Sequence, residues 1–282
     1  METGLHPFFM AADGGRSGQR FCIHHAPVTQ PVRGAVLYVH PFAEEMNKSR
    51  RMAALASRTL AESGFAVLQI DLLGCGDSSG DFGDATWADW VADVEQGARW
   101  LREQHPAAPL TLWGLRAGCL LAAEAAARIG SDVGQLHWQP PASGKALLQQ
   151  FLRLQMAASL VDGKPSTAAA DPRQELAAGR SPQIAGYVLN PALTSGLERT
   201  QWPPAVGAGR SVWLETSSRD NAPLLPATQT ALTRWQQAGH DVVARVVPGP
   251  AFWQTQEIED APRLVEATLH AMQELQDEAL PA

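Results

Sequence analysis

The chain of 282 residues has few cysteines, no long apolar run and no excess of basic residues. Its three cysteines stand far apart without Cys-x-x-Cys spacing, a pattern that suggests neither a disulfide framework nor a zinc site. The formal net charge of −7 and the lack of any Lys/Arg-rich run argue against a nucleic-acid-binding protein. We therefore expect a protein of the reducing cytoplasm, with no metal, no cofactor and no nucleic-acid partner.

Membrane and export signals are missing as well. No window approaches the roughly 18 uninterrupted apolar residues that a membrane-spanning helix needs. The N-terminal stretch METGLHPFFMAADGG lacks the basic start and long apolar run of a secretory signal. The apolar fraction of 45% with mixed charges is typical of a globular protein with a sizeable core. Because α/β folds often reach this length as one unit, we expect a single domain over 1–282.

What the sequence does contain is an alternation of strand and helix patterns. Two apolar runs on either side of Asp13-Gly14-Gly15 predict a β-hairpin within 7–26. The apolar run Gly34–His40 is typical of a strand buried on both faces of a parallel sheet. Strands and amphipathic helices then alternate as far as Trp138. This order predicts an α/β fold with a mostly parallel central sheet flanked by helices.

The segment 143–193 interrupts the alternation with a predicted helix, a polar stretch and a short strand-like run. An excursion between two core strands is where a cap or lid over an active site would sit, and an ordinary surface insertion is the alternative interpretation. The core then resumes with a strand, a helix, a strand and a final helix, predicted at 211–216, 223–238, 241–247 and 260–275.

The stretch Leu110–Cys119 has the pattern of a strand, a sharp turn and a helix. Its Gly-x-Arg-x-Gly sequence is typical of a nucleophile elbow, in which two glycines let the strand and the helix approach closely. The residue at the tip of such an elbow should be Ser, Cys or Asp. Here it is Arg116, whose guanidinium stays protonated and therefore cannot attack an acyl group.

The other two positions of a catalytic triad are only partly filled. Asp220 follows a predicted strand at the place of the triad acid, and its alternative interpretation is an N-cap for the helix predicted from Pro223. The base is expected in the turn Pro248–Trp253 after the last predicted strand, and this turn contains no histidine. Two of the three positions are therefore empty. From this turn we expect only that Ala251 and Trp253 line the pocket.

The backbone donors of an oxyanion hole are better preserved than the triad. In this architecture they come from the residue after the elbow tip, here Ala117, and from the loop after the first parallel strand, here Phe42. His40 ends that strand and is expected near the same pocket. The two N–H groups, a helix N-terminus and the Arg116 guanidinium together predict a site that binds an anion.

The charge of Arg116 leaves a second interpretation open. Glu44 and Glu45 lie in the same loop as Phe42 and are the nearest candidate counter-charges. If Arg116 pairs with one of them or with Asp220, the site is a neutral structural clamp instead of an anion site. The sequence does not decide between these two interpretations.

Three motifs in this order resemble the α/β-hydrolase superfamily over roughly residues 7–275: His-Pro-Phe after a buried strand, Asp-x-x-Gly-x-Gly-x-Ser after the next, and Gly-Leu-Arg-x-Gly at the elbow. More narrowly, six stretches are similar to the exosortase A system-associated hydrolase 2 family. They are HPFAEEMNKSRRM, IDLLGCGDSSGDF, LWGLRAG, WQPPASGKALLQQFLR, IAGYVLNPAL and PGPAFWQTQEIE. The resemblance implies bacteria with the PEP-CTERM protein-sorting and exopolysaccharide system. It also implies that Arg116 belongs to the family pattern, and it supplies no triad.

Two functions of different classes are therefore compatible with the sequence. The first, favoured by the residues alone, is a non-catalytic protein that binds a small acidic ligand or partner at the elbow pocket. The second is an ester or thioester hydrolase or acyl transferase with an unusual mechanism. In it a carboxylate of Asp220, Glu44 or Glu45 would activate water while Arg116 and the backbone donors hold the oxyanion. The pattern specifies neither the ligand nor the oligomeric state.

Overall fold

The computed structural model of the protein describes residues 4–161, 171–204 and 209–277. In these ranges the strands are β1 (Leu5–Ala11), β2 (Gln19–His25), β3 (Gly34–Val39), β4 (Phe65–Ile70), β5 (Leu110–Leu115), β6 (Gly134–Trp138), β7 (Gln183–Ile184), β8 (Tyr187–Val188), β9 (Ser211–Ser217) and β10 (Val242–Pro248). The helices are α1 (Glu44–Glu62), α2 (Trp87–Gln104), α3 (Ala117–Ile129), α4 (Gly144–Val161), α5 (Pro172–Ala177), α6 (Pro191–Arg199), α7 (Pro226–Gln237) and α8 (Pro262–Asp277). A short 3₁₀ turn covers Phe82–Asp84.

The central sheet has the strand order β1-β2-β4-β3-β5-β6-β9-β10, and β7 and β8 form a separate two-stranded sheet. β1, β2 and β4 pair antiparallel at one edge, whereas every pairing from β4 to β10 is parallel. The predicted hairpin and the predicted mostly parallel sheet are confirmed. Because the parallel strands end at one edge, the loops that follow them meet there, and sites in open α/β sheets form at that edge.

β3 shows why helices cover both faces of the sheet. All six of its residues are buried. Ala35, Leu37 and Val39 pack into the core on the side of α2 and α3, whereas Val36 and Tyr38 pack into the core on the side of α1 and α8. Successive strand side chains point to opposite faces, so a strand covered on both sides has to be apolar throughout. Burial of each larger apolar side chain contributes on the order of 1.5–3 kcal/mol.

α7 begins at Pro226, later than the sequence pattern predicted. Its N-cap position is Leu225, whose N–H donates to the carboxylate of Glu215 at 2.9 Å. The hydroxyl of Thr228 donates to the same carboxylate. Glu215 is buried in β9, and a carboxylate at a helix N-terminus is favoured by the helix dipole. The capping role considered for Asp220 is therefore not found, because a strand carboxylate holds the start of the helix.

The chain between β6 and β9 holds α4, α5, the β7–β8 sheet and α6. An added Cβ on Gly144 would lie 1.8 Å from the carbonyl oxygen of Leu197, so glycine is needed where α4 meets α6. The β7–β8 sheet packs on the 3₁₀ turn. Residues 162–170 of the predicted lid segment 143–193 lie outside the described residues. Movement of this segment as a lid stays a prediction.

The described ranges contain no membrane-spanning helix, no disulfide and no cluster of metal ligands. None of the helices there is long and apolar enough to cross a bilayer. The three cysteines are free and buried. Among the same residues, no three His, Cys, Asp or Glu side chains stand close enough together to hold a metal ion.

Candidate functional site

The elbow has the backbone geometry that its glycines predicted. Between the end of β5 and the start of α3, Arg116 adopts a φ of 54°. A positive φ is uncommon for a non-glycine residue and stores strain. An added Cβ would lie 2.1 Å from the carbonyl oxygen of Val39 at Gly118, and 2.5 Å from the backbone of α3 at Gly114. Both glycines are therefore required by the close approach of β5, α3 and the end of β3.

Arg116 meets side chains from three other parts of the chain. Its Nε lies 3.3 and 3.4 Å from the two carboxylate oxygens of Glu45, at the start of α1. Its Nη2 donates to the amide oxygen of Gln150, on α4, at 2.9 Å. Its Cζ lies 5.9 Å from the centre of the Trp253 ring, within the range of a cation–π contact. The ion pair left open by the sequence is thus made with Glu45.

Hydrogen-bond donors around Arg116 remain unused. Within the part of the chain that the structure describes, the Nη1 group of Arg116 has no hydrogen-bond partner, and neither has the backbone N–H of Phe42 or of Ala117. Ala117 is the first residue of α3, where a helix leaves its N–H groups unpaired. The positive end of α3 adds to the charge of Arg116. The elbow therefore combines one cation with two backbone donors, and among the described residues Glu45 is the carboxylate within ion-pair distance of Arg116.

A cavity of about 20 Å³ lies beside this cluster. Its lining residues are Phe42, Glu44, Glu45, Arg116, Leu147, Gln150 and Phe151. A volume above about 10–15 Å³ suffices for one water molecule, so a larger ligand needs a displaced side chain. The side chain of Arg116 is 9% exposed, whereas Gln150 is an exposed residue. Displacement of Gln150 would therefore open the guanidinium to solvent.

The Glu45 carboxylate has a pKa that its surroundings raise. Burial raises its pKa above the ordinary value, and the nearby Arg116 guanidinium and a hydrogen bond with the Gln254 side chain oppose that rise. The carboxylate is only 15% exposed. Its backbone is fixed, because the Ser49 hydroxyl donates to the Glu45 carbonyl oxygen at 2.6 Å. Glu45 is thus a carboxylate that takes up a proton more readily than an exposed glutamate.

His40 is not brought to the elbow cavity. It is buried beside a second small cavity, which Arg50 and Asp71 also line. Its Nε2 accepts from the Leu72 N–H at 3.2 Å, and its Nδ1 donates to the Pro41 carbonyl oxygen at 2.8 Å. Burial lowers the pKa of His40. A neutral imidazole with both nitrogens engaged holds the loops together and is not available as a base.

Of the remaining predicted residues, Glu44 lines the elbow cavity, whereas Asp220 and Ala251 do not. Glu44 lines the cavity with Glu45. Asp220 is exposed in the turn after β9, where it has no hydrogen bond or ion pair with any described residue. Ala251 is partly buried against the core on the side of α1 and α8. The buried carboxylate of β9 is Glu215, and it caps α7.

Sequence reasoning missed the contribution of α4. Leu147 and Phe151 were recognisable as the apolar face of a helix, but their target was not. Phe151 packs edge-on against Phe42 with ring centres 5.1 Å apart. No signal in the sequence singled out Gln150, because a glutamine in a helix is commonly solvated. The helix of the predicted insertion therefore forms one wall of the elbow cavity.

A family model described as serine aminopeptidase, S33 (Hydrolase_4), matches residues 30–188, more than half of the chain. The chain belongs to this family. The matched range includes β3, the elbow and most of the segment between β6 and β9. A search of curated protein sequences finds no match.

Solved structures share the fold of this S33-family chain at low sequence identity. A highly thermostable carboxyl esterase from Bacillus coagulans is 16% identical with a TM-score of 0.67, over 98% of this chain and 99% of its own. A soluble variant of monoglyceride lipase from Saccharomyces cerevisiae is 15% identical with a TM-score of 0.65, over 100% and 98%. An α/β serine hydrolase without lid from Xanthomonas campestris is 16% identical with a TM-score of 0.55, over 100% and 98%. The predicted α/β-hydrolase superfamily is confirmed.

Proposed function

We propose that this S33-family chain is a non-catalytic binding protein that takes a carboxylate at the elbow, either of a small apolar acid or of an acidic side chain of a partner. The observation that carries the proposal is the contact set of Arg116, a buried guanidinium at the elbow tip with donors that none of the described residues uses. Arginine cannot act as the acyl nucleophile there, and it binds carboxylates in a bidentate manner.

The existing counter-charge supports exchange with a ligand. Glu45 reaches only the Nε of Arg116, at 3.3 and 3.4 Å, which is longer than a well-formed charged hydrogen bond of about 2.7–2.9 Å. A buried ion pair offsets its desolvation cost only with excellent geometry. A ligand carboxylate that bonds Nη1 and Nη2 together would meet the guanidinium on the side that Glu45 leaves free. Its second oxygen has the N–H groups of Phe42 and Ala117 as further donors.

The cavity walls indicate the rest of the ligand. Three of the lining side chains are apolar, and they are Phe42, Leu147 and Phe151. The cavity of about 20 Å³ holds no more than a water molecule, so the ligand enters by displacing Gln150 from Arg116. An apolar chain on the acid would then lie against the two phenylalanines. Acetate should therefore bind less tightly than octanoate or benzoate.

The exosortase A setting is part of the proposal and rests on the family resemblance. The residues of the elbow cluster fall inside the stretches that carry it. Phe42, Glu44 and Glu45 lie in HPFAEEMNKSRRM, Arg116 in LWGLRAG, Gln150 in WQPPASGKALLQQFLR and Trp253 in PGPAFWQTQEIE. The cluster thus coincides with the family motifs. We propose that the acidic ligand or partner belongs to the envelope-polysaccharide or protein-sorting metabolism of such bacteria.

The test is a thermal-unfolding titration with sodium acetate, octanoate and benzoate, against sodium chloride at equal ionic strength. A ligand that binds the folded protein alone should raise the melting temperature by a few degrees at saturation. Arg116→Ala should abolish the rise. Arg219→Ala removes an exposed arginine after β9 and is the matched control that should keep it. No rise with wild type, or a rise retained in Arg116→Ala, would refute the proposal.

One observation favours the alternative function, an ester or thioester hydrolase or acyl transferase. The cavity has room for one water molecule beside Glu45, whose raised pKa suits a general base. Turnover of p-nitrophenyl esters and thioesters, together with fluorophosphonate labelling, separates the two functions. Turnover that is lost in Glu45→Gln or Asp220→Ala would sink the binding proposal. Absence of both turnover and labelling would count against the enzyme.

A further inference from the structure

Three histidines come together between the N-terminal hairpin and the end of α2. His6 on β1 lies directly opposite His24 on β2 in the strand register, so both side chains leave the same face. Their rings are stacked with centres 6.3 Å apart. His105, the residue that follows α2, points its ring at His24 with centres 5.5 Å apart. This histidine cluster plays no part in the elbow site.

The spacing of two nitrogens in the cluster is the feature that points to a metal ion. The Nε2 atoms of His24 and His105 face each other at 3.4 Å. This is a long hydrogen bond, because a well-formed one from a nitrogen donor measures about 2.7–3.2 Å. Two imidazole ligands of a tetrahedral zinc ion, each at about 2.0–2.1 Å from the metal, hold their nitrogens about 3.3–3.4 Å apart. The pair therefore has the spacing of one edge of a ligand tetrahedron.

The two rings are also fixed by their neighbours, and they are in the neutral state that a metal ligand requires. His24 sits on a strand paired on both sides, with His6 and with Leu68, and its ring meets the Trp100 ring edge-on at 5.1 Å. The backbone N–H of His105 donates to the Leu101 carbonyl oxygen at 2.8 Å. Burial and the neighbouring imidazoles lower the pKa of His24 to about 4, and burial lowers the pKa of His105. Both rings are therefore neutral near pH 7, the form that binds a metal.

We propose that His24 and His105 bind a divalent transition metal ion of the zinc, nickel or copper type through their Nε2 atoms. His6 is exposed, and rotation of its side chain brings it in as a third ligand, with water at the remaining position. As placed, His6 stands apart from the pair, and no three donors converge in the described residues. Imidazole suits these ions, whereas magnesium and calcium prefer oxygen ligands.

The test is isothermal titration of the chelator-treated full chain with zinc chloride and with nickel chloride. Wild type should bind one ion. His24→Asn and His105→Asn should each weaken binding at least tenfold, and His6→Asn should weaken it several-fold. His270→Asn is the matched control, because His270 is an exposed histidine on α8, and it should bind as wild type does. Magnesium chloride should give no binding heat.

Two results would overturn the proposal. One is the absence of zinc and nickel binding by wild type. The other is unchanged affinity in both His24→Asn and His105→Asn. Because a change at His24 also alters packing on Trp100, circular dichroism has to show that the variant is folded. His105→Asn keeps the proposal testable if that variant does not fold, because it changes a side chain after the end of α2.

Discussion

Two buried arginine–carboxylate pairs in this molecule are built differently. In the first, the Nε of Arg20 lies 2.8 Å from the Oδ2 of Asp93, and the two side chains are 1% and 0% exposed. Asp93 also accepts from the Leu73 N–H at 2.8 Å and from the Arg16 guanidinium. All three of these donors lie within hydrogen-bond distance of the carboxylate. The pair therefore joins the hairpin to α2 as a structural clamp.

The second pair, Arg116 with Glu45, is looser. Its Nε–O distances are 3.3 and 3.4 Å, its side chains are 9% and 15% exposed, and its carboxylate has a raised pKa. Charges taken out of water are stabilised only when geometry and further hydrogen bonds compensate their desolvation. The first pair meets both parts of that condition, whereas the second has further hydrogen bonds with Gln150 and Gln254 but a long contact between its own charged groups. The longer Nε–O distances support exchange of Glu45 for a ligand carboxylate. The Arg20–Asp93 pair is the reference against which the stability of the Arg116–Glu45 pair can be measured.

The largest effect is expected at the clamp. Asp93→Ala leaves the guanidinium of Arg20 buried without a counter-charge, and should lower the free energy of unfolding by about 3–5 kcal/mol. Urea denaturation measures this. Asp132→Ala, which breaks the exposed pair with Arg102, is the control and should cost less than about 1 kcal/mol. Equal losses in the two variants would mean that burial does not distinguish the pairs of this molecule.

Glu45→Gln tests the looser pair directly. We expect it to change the free energy of unfolding by about 1 kcal/mol or less, because the amide keeps the shape and removes a poorly compensated buried charge. Affinity for octanoate should rise about tenfold, equivalent to about 1.4 kcal/mol, because the competing carboxylate is gone. Denaturation and octanoate titration give the two numbers. A loss of stability as large as in Asp93→Ala would make Arg116–Glu45 a clamp as well.

Gln150→Ala tests the entrance. It removes the hydrogen bond to Nη2 of Arg116, and because Gln150 is exposed the variant should lose only about 1 kcal/mol of stability. Octanoate should bind faster, because no side chain has to leave the guanidinium first. Stopped-flow tryptophan fluorescence measures the association rate. Gln149→Ala, a neighbour on α4 that bonds Arg153, should leave the rate unchanged; an equal gain there would remove Gln150 from the entrance.

The fold was predictable because its signals are local. The apolar run of β3 needs covering helices on both faces, and the two glycines of the elbow are required by contacts within one strand–turn–helix unit. Sequence reasoning therefore located the elbow tip at Arg116, and the donor roles of Phe42 and Ala117 stay predictions. These predictions use only the order of neighbouring residues.

The partner of Arg116 was not predictable, and the reason is geometric. Glu44 and Glu45 are consecutive residues at the start of a helix, where neighbours point about 100° apart. Only the placement of α1 decides which carboxylate turns to the elbow. Gln150 reaches the site from α4 and Glu215 reaches the start of α7 from β9, and both contacts depend on tertiary packing.

The smallest expected effect is a pH dependence of anion binding at the Arg116–Glu45 pair. The folded-state pKa of Glu45 is raised, so folding favours its protonated form; that stabilisation is present at low pH and is lost as the pH rises through the folded pKa. Protonated Glu45 no longer competes for Arg116.

Methanesulfonate, an anion that stays ionised throughout, should therefore bind about threefold more tightly near about pH 5 than near about pH 8. In Glu45→Gln the affinity should be flat across the same range, because the titrating competitor is absent. The same slope in the variant would place the pH-sensitive group elsewhere than in this pair.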